Sequence, residues 1–251
     1  MSNKLRVAIL VSGGGSTMQA VGLACESGRL RCAELALVIA SKPGAGGIAK
    51  AKKLIDPENT RRNVLVIRPT DFEKKDAFGE VIVQECIKHD IDLVFQCGWL
   101  PMTPANVAQH FAGRILNQHP GPLDNGRPDF GDLYGQQVHH AVLAFYRHPE
   151  IKRPGPPKTE ATVHMVTADE RYDVGGMIGT HAMQIRDDDT VETLKNRLLP
   201  VEHDLVIRTI ERYSIENPIH PYTRTEPLIH PEEESILEWA KTEARRLYPH
   251  G

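Results

Sequence analysis

Asn117 and His119 are the residues of this sequence best suited by type and spacing to do chemistry. They lie in the stretch Gly113-Arg114-Ile115-Leu116-Asn117-Gln118-His119-Pro120-Gly121-Pro122-Leu123, which begins as a short apolar run and turns abruptly polar. A buried parallel strand looks like this when it delivers side chains to the rim of its sheet. Alternate side chains of a strand share a face, so Asn117 and His119 are expected to point one way and Gln118 the other. An amide donor beside an imidazole can polarise a carbonyl and hold the oxyanion that forms on attack. Pro120 lacks a ladder donor and stops the strand where such a site would open. Taken alone, a histidine here also has an ordinary structural reading, as a satisfied residue at a strand end.

A second candidate is Ser12-Gly13-Gly14-Gly15-Ser16-Thr17, which follows the apolar residues 5–11 and precedes Met18, Val21, Gly22 and Cys25 at helical spacing. Strand, glycine loop and helix together present free backbone N–H groups to an anion. Ser16 and Thr17 could cap the helix and bond a phosphate at once. A plain tight turn would need fewer glycines. The loop lacks the Gly-Lys-Ser/Thr ending of a nucleoside-triphosphate loop, and Met18 takes the third glycine position of a dinucleotide fingerprint. The second strand, residues 34–40, ends in Ser41-Lys42 where a dinucleotide site would place an acid. NAD is disfavoured and NADP weakened; a single phosphorylated ribose or sugar fits better.

Two further groups have chemistry to offer. Trp99, Leu100 and Met102, after an apolar fourth strand, could wall a slot for a flat ring, although loop packing accounts for them equally well. Asp173, shortly before Gly175-Gly176, could approach a ligand closely or simply serve a turn.

The elements that must position these residues alternate. Strand patterns at 5–11, 34–40, 63–67 and 93–96, and the stretch 113–123 with its strand stopped by Pro120, are separated by helical patterns after Ser16, at 44–54 (closed by Asp56-Pro57) and at 71–89. This alternation predicts an α/β fold, an open, mostly parallel Rossmann-like sheet with helices on both faces. Ligands bind such sheets outside the carboxyl ends of the strands. Residues 121–135 and 148–158 are Pro/Gly-rich loops of the kind that serve as lids or binding loops, with a helix at 136–146 between them. Strands at 161–167 and 177–185 follow, then a helix over 191–213 whose candidate caps are Asp187-Asp188-Asp189-Thr190. After Asn217-Pro218 the tail is loop-like until a last helix, which runs to Leu247 with acids first and Arg245-Arg246 last, matching its dipole. Leu237, Ala240, Ala244 and Leu247 form its apolar stripe.

Composition narrows the function. The 251 residues are 40% hydrophobic and 25% charged with net charge −3, so no basic excess argues for nucleic acid and no apolar run is long enough to span a bilayer. The start lacks a signal-peptide plan, and Cys25, Cys32, Cys86 and Cys97 form no Cys-x-x-Cys pair. A cytoplasmic protein with reduced cysteines and no metal is expected.

The ordered motifs resemble the folate-dependent formyltransferases. Ser12-Gly13-Gly14-Gly15-Ser16 with Thr17-Met18-Gln19-Ala20 is similar to the family's phosphate loop, and Ala112-Gly113-Arg114-Ile115-Leu116-Asn117-Gln118-His119-Pro120 to its Ala-Gly-Arg-x-Leu-Asn-x-His-Pro. Val163-His164-Met165-Val166-Thr167, Asp173 before the glycines and Glu202-His203 complete the likeness. Thr17 stands where the family has Asn, Pro101 where Arg is typical, and Val174 separates Asp173 from Gly175.

The resemblance implies a formyltransferase domain over 1–213 and a C-terminal helical extension over 214–251. It also implies transfer of a formyl group from 10-formyltetrahydrofolate to the primary amine of glycinamide ribonucleotide in purine synthesis. Gly13, Gly14, Gly15, Ser16 and Thr17 would hold the ribose phosphate and Glu202 the ribose hydroxyls. Trp99, Leu100, Pro101, Met102 and Val174 would face the folate. Asn117 and His119 would stabilise the tetrahedral oxyanion, with His119 charged and Asp173 biasing it that way. A nucleotide-linked amino sugar is the alternative acceptor. A non-catalytic folate- or nucleotide-binding module is the alternative from another class, and the joint presence of Asn117, His119 and Asp173 argues against it. Small molecules are the expected partners, without nucleic acid or membrane, and a homodimer is left open.

Overall fold

The computed structural model describes residues 4–55 and 63–251, so the helix stop at Asp56-Pro57 and the first three residues lie outside the described residues. The strands are β1 (Leu5–Val11), β2 (Ala33–Ala40), β3 (Asn63–Val66), β4 (Leu93–Cys97), β5 (Ile115–His119), β6 (Lys158–Met165) and β7 (Met177–Gln184). The helices are α1 (Ser16–Glu26), α2 (Gly47–Leu54), α3 (Lys75–Lys88), α4 (Ala105–His110), α5 (Gln136–Tyr146), α6 (Val191–Ile215) and α7 (Glu234–Leu247). The strands form one seven-stranded sheet in the order β3-β2-β1-β4-β5-β6-β7, flanked by helices on both sides. The pairs β1–β2, β1–β4, β2–β3 and β4–β5 are parallel, and β6–β7 is antiparallel. The expected α/β class is therefore the observed one.

The chain divides into two compact units. The first comprises Met1–Gln118, Met165–Arg171 and Val206–His220. Its core gathers Leu10, Leu37, Val94 and Ile115 from the strands with Phe78 and Ile82 of α3 and Phe111 after α4. Each such burial stabilises by about 1.5–3 kcal/mol, which is why β1, apolar on both faces, can occupy the middle of a sheet. The second unit comprises His119–His164, Tyr172–Leu205 and Pro221–Gly251. Phe130, Val138, Phe145, Leu194, Leu237, Ala240 and Ala244 make its core, so the apolar stripe of α7 packs as expected. Leu247 does not join it and is 47% exposed; Ile236 is buried in the stripe instead.

Other boundaries differ for local reasons. Residues 44–46 form a turn, and α2 begins at Gly47. Residues 69–71 form a short 3-10 turn before α3 starts at Lys75. Six-residue α4, entered through Pro104, is too short to display a helical period in sequence. Strand β6 begins three residues before the expected 161, because Lys158, Thr159 and Glu160 pair with Gln184, Met183 and Ala182. Thr190 caps α6: its Oγ1 accepts from the Thr193 amide at 3.2 Å. Among the described residues no helix is long and apolar enough to cross a membrane.

Candidate active site

In the first unit the glycine loop is a turn from β1 into α1. Gly15 precedes the helix at φ 62°, the left-handed region that disfavours a side chain. A Cβ there would also lie 2.7 Å from the Gly47 Cα, so the first turn of α2 packs directly on the loop. The Gly47 amide donates to Gly13 O at 3.0 Å and closes that contact. Gly13 and Gly14 are exposed with open space above them, room that an anion would need. Neither Ser16 nor Thr17 caps α1, contrary to the expectation; no side chain caps this helix, and Thr17 is buried. The left-handed residue at the cap position is glycine, which has no side chain with which to cap.

Ser12 fixes the next turn. Its amide donates to Gly98 O at 2.9 Å, and its Oγ accepts from the Leu100 amide at 2.9 Å and from Ser41 Oγ at 2.7 Å. Gln96 Nε2 donates to Thr103 Oγ1 at 2.5 Å and closes the same turn further on. Trp99 is turned inward, stacked on Phe78 with ring centroids 6.2 Å apart, and belongs to the core. The expected slot walled by Trp99 is therefore corrected: that indole is 7% exposed and completes the apolar core. Leu100, Pro101 and Met102 do line a cavity of about 500 Å³, together with Ser12, Ser41, Phe72, Phe78 and the cations Lys42, Lys74 and Lys75. Lys75 is paired with Glu170 at 2.9 Å. Lys42 and Lys74 have no ion pair among the described residues.

In the second unit His119, Asp173 and His164 come together. Asp173 Oδ2 lies 3.4 Å from His119 Nδ1, and its Oδ1 lies 3.3 Å from His164 Nε2. Oδ2 also accepts from the Asp132 amide at 3.1 Å. His119 Nε2 is 3.1 Å from Phe130 O, which can only accept. Both imidazoles are 3% exposed and the carboxylate 9%. Burial alone would raise the Asp173 carboxyl, but the two imidazoles and the backbone donor outweigh it and hold it well below the usual carboxylate range. His119 moves the other way from the expectation. Burial pushes it down, Asp173 pulls it up, His164 pushes it down again, and the net lies below the ordinary imidazole value. Asp173 thus favours imidazolium as anticipated, while desolvation opposes it more strongly. Asp173 and Asp132 both have positive φ, 55° and 61°, a region Asp tolerates better than most side chains.

Asn117 lies on β5 two residues before His119, half-buried and in register with Gln96 of β4. Glu202 is buried on α6, and Val174 is half-buried beside Asp173. Among the described residues no group of three His, Cys, Asp or Glu is arranged to hold a metal ion.

Comparison with known proteins decides the family. The sequence profile of the formyl transferase family matches residues 5–210. The chain belongs to the formyl transferase family. Within the family it is 32% identical over 208 residues to the chloroplastic phosphoribosylglycinamide formyltransferase of Arabidopsis thaliana, covering 82% of this chain and 64% of that protein. It is 29% identical over 200 residues to the Bacillus subtilis enzyme of that name, covering 79% and 89%. Its fold matches the crystal structure of phosphoribosylglycinamide formyltransferase from Bacillus halodurans with TM-score 0.68 at 30% identity, covering 85% of this chain and 98% of that one. The chain spans less than two thirds of the Arabidopsis protein and 13% of the trifunctional purine biosynthetic protein of Chironomus tentans.

Two parts of this formyl transferase site escape a reading of the sequence. His164 shares Asp173 with His119; the sequence marked it only as part of the Val163-His164-Met165-Val166-Thr167 motif, with no role attached. Ser12 and Ser41 organise the Leu100 turn, but serines at strand ends are too common to single out.

Proposed function

We propose that this chain transfers a formyl group from 10-formyltetrahydrofolate to the primary amine of glycinamide ribonucleotide in a cytoplasmic step of purine synthesis. One observation carries the reading: in a formyl transferase family member, the histidine of the Asn117-x-His119 strand end is buried and bracketed by Asp173 and the Phe130 carbonyl. The names of the relatives, phosphoribosylglycinamide formyltransferase among them, support the choice of acceptor.

The folate supplies the formyl group; the residues of the chain supply binding, orientation and charge. Gly13, Gly14, Gly15, Ser16 and Thr17 hold the ribose phosphate through backbone N–H groups and the start of α1. Glu202 takes the ribose hydroxyls. The cavity behind Leu100, Pro101 and Met102 fits the folate's chemistry, since its walls are apolar and Lys42 and Lys74, unpaired among the described residues, complement an anionic glutamyl tail. Val174, next to Asp173, faces the same co-substrate. Asn117 donates its amide to the oxygen on which charge develops as the amine attacks. His119 exchanges Phe130 O for that oxygen and donates through Nε2. Asp173 orients the ring through Nδ1 and, directly or through water, helps pass the amine proton to the folate nitrogen. We assign this work to residues 1–213 and treat 214–251 as an extension.

The test is a formyl-transfer assay with purified protein, 10-formyltetrahydrofolate and glycinamide ribonucleotide, following loss of the formyl-folate. Turnover that depends on the ribonucleotide is the expected result. Turnover only with a nucleotide-linked amino sugar would replace the acceptor; folate binding without turnover on either amine would contradict the reading.

A further inference from the structure

We propose that the carboxy-terminal segment, residues 221–251, is a positioning device for His119, acting through the 121–135 loop whose backbone holds both the imidazole and Asp173. The inference rests on the catalytic role given to His119 above.

The loop touches the site with two backbone groups. Phe130 O accepts from His119 Nε2, and the Asp132 amide donates to Asp173 Oδ2. Between them Gly131 is pressed so closely that a Cβ would meet Asp129 Oδ1 at 2.9 Å and the Asp173 Cβ at 3.2 Å. Residues 121–135 contain neither strand nor helix, so no ladder fixes this geometry. The carboxy-terminal segment fixes it instead. Asp124, fully buried, accepts from the Leu228 amide at 2.6 Å. Arg224 Nε donates to Leu123 O at 2.9 Å, and Arg127 returns a bond to Arg224 O at 3.0 Å. Asn125 Nδ2 donates to Tyr222 O at 2.9 Å.

Helix α7 then grips the part of the loop that matters. Lys241 Nζ donates to Asp129 O at 3.4 Å and Arg245 to Asp132 Oδ2 at 3.0 Å, one cation on each side of Phe130. Phe130 itself is fully buried, edge-on to Phe145 at 5.6 Å in the core to which α7 contributes Leu237, Ala240 and Ala244. An extension that served stability alone would have no need to bond the immediate neighbours of the two groups that meet His119 and Asp173. The profile match to the family ends at residue 210, so this clamp lies in a part of the chain outside it. Lys241 also acts on His119 electrostatically, disfavouring its charged form alongside His164 and against Asp173; His139 on α5 and Asp129 are the other titratable groups nearby.

The experiment compares the full-length wild type with the double variant Lys241→Met/Arg245→Gln and its conservative counterpart Lys241→Arg/Arg245→Lys. The readouts are kcat, KM for each substrate, Tm and the His119 ring titration followed by NMR in the free enzyme. The Met/Gln variant is expected to lose about tenfold in kcat with both KM values little changed, since small misplacements of a catalytic group are costly. Its His119 should titrate at higher pH, and the Arg/Lys variant should restore both properties. Wild-type kcat and titration in the Met/Gln variant would overturn the proposal. So would a fall in kcat that tracks Tm, with an unmoved titration and no restoration. If the double variant does not fold, Asp132→Asn, which keeps a residue tolerant of φ 61° and removes the partner of Arg245, must lower kcat in the same direction. Absence of formyl transfer by the wild type would overturn the functional reading instead, and the NMR titration would still test the clamp.

Discussion

The Nε2 atom of His119 lies 3.1 Å from the carbonyl oxygen of Phe130, eleven residues further along the chain. Its other ring nitrogen faces the Asp173 carboxylate. Both partners are acceptors, so only the doubly protonated ring satisfies both, while burial opposes the charge that this requires. His119 is therefore balanced between two demands. A developing negative charge beside it would tip that balance toward the proton-rich form at the moment when donation is useful.

That balance can be moved in either direction. Asp173→Asn removes the group that raises the His119 pKa, so the imidazole should titrate lower still and kcat should fall by about 10²–10⁴. His164→Gln removes a group that lowers it, so the titration should move up. Ring titration by NMR in the two variants distinguishes these signs, and shifts in the same direction would show that Asp173 and His164 do not act on His119 as the geometry implies.

Asp129 sits in the same loop, and burial pushes its carboxyl up to about 6 despite bonds from the Gly131 and Asp124 amides. The folded state thus keeps a proton between pH 3.8 and about 6 that the unfolded chain has released. By linkage its contribution to stability is full below that window and is lost as pH rises through it. The Tm of the wild type relative to Asp129→Asn should fall from pH 4 to pH 6 and then level off. A difference that grows over this range would contradict the assignment.

Gly15→Ala places a side chain at φ 62° and against the Gly47 backbone. The left-handed conformation costs at least about 1 kcal/mol, and Tm should drop by about 2–4 °C or more. If this turn holds the ribose phosphate, KM for the ribonucleotide should rise while KM for the folate stays put. Calorimetry and initial rates on one preparation test both parts.

Lys42→Ala and Lys74→Ala, the two cavity cations without an ion pair among the described residues, should each raise KM for a glutamylated folate about 3–10-fold at low salt, with less effect at high salt. A folate lacking the glutamyl tail should not distinguish wild type from variant. Equal effects on tailed and tailless folates would remove the tail from this cavity.

Much of the first unit was legible in the sequence. Leu5–Val11 is apolar apart from Arg6 because helices cover both faces of the sheet, whereas a strand with one face in water would alternate. The strand end at Asn117 and His119 was visible for the same reason, as an apolar run that turns polar just before Pro120. What was hidden depends on contacts between distant residues. The ionisation of His119 is set by burial and Asp173 and, to a smaller extent, by His164 and Lys241, 45 and 122 residues away in sequence, whose effects no local pattern announces. Trp99 turned inward because Phe78 offered a stacking face, a choice that spacing within its own loop does not reveal. The cap of α1 was misplaced because a left-handed glycine and a capping serine are both ordinary ways into a helix.

The measurement that bears most directly on the mechanism is kcat for His119→Ala in the formyl-transfer assay, with ribonucleotide binding followed in parallel by calorimetry. Loss of about 10²–10³ in kcat with binding of the phosphorylated acceptor retained is the expected result. Turnover near that of the wild type would contradict a catalytic role for His119 and the functional reading built on it.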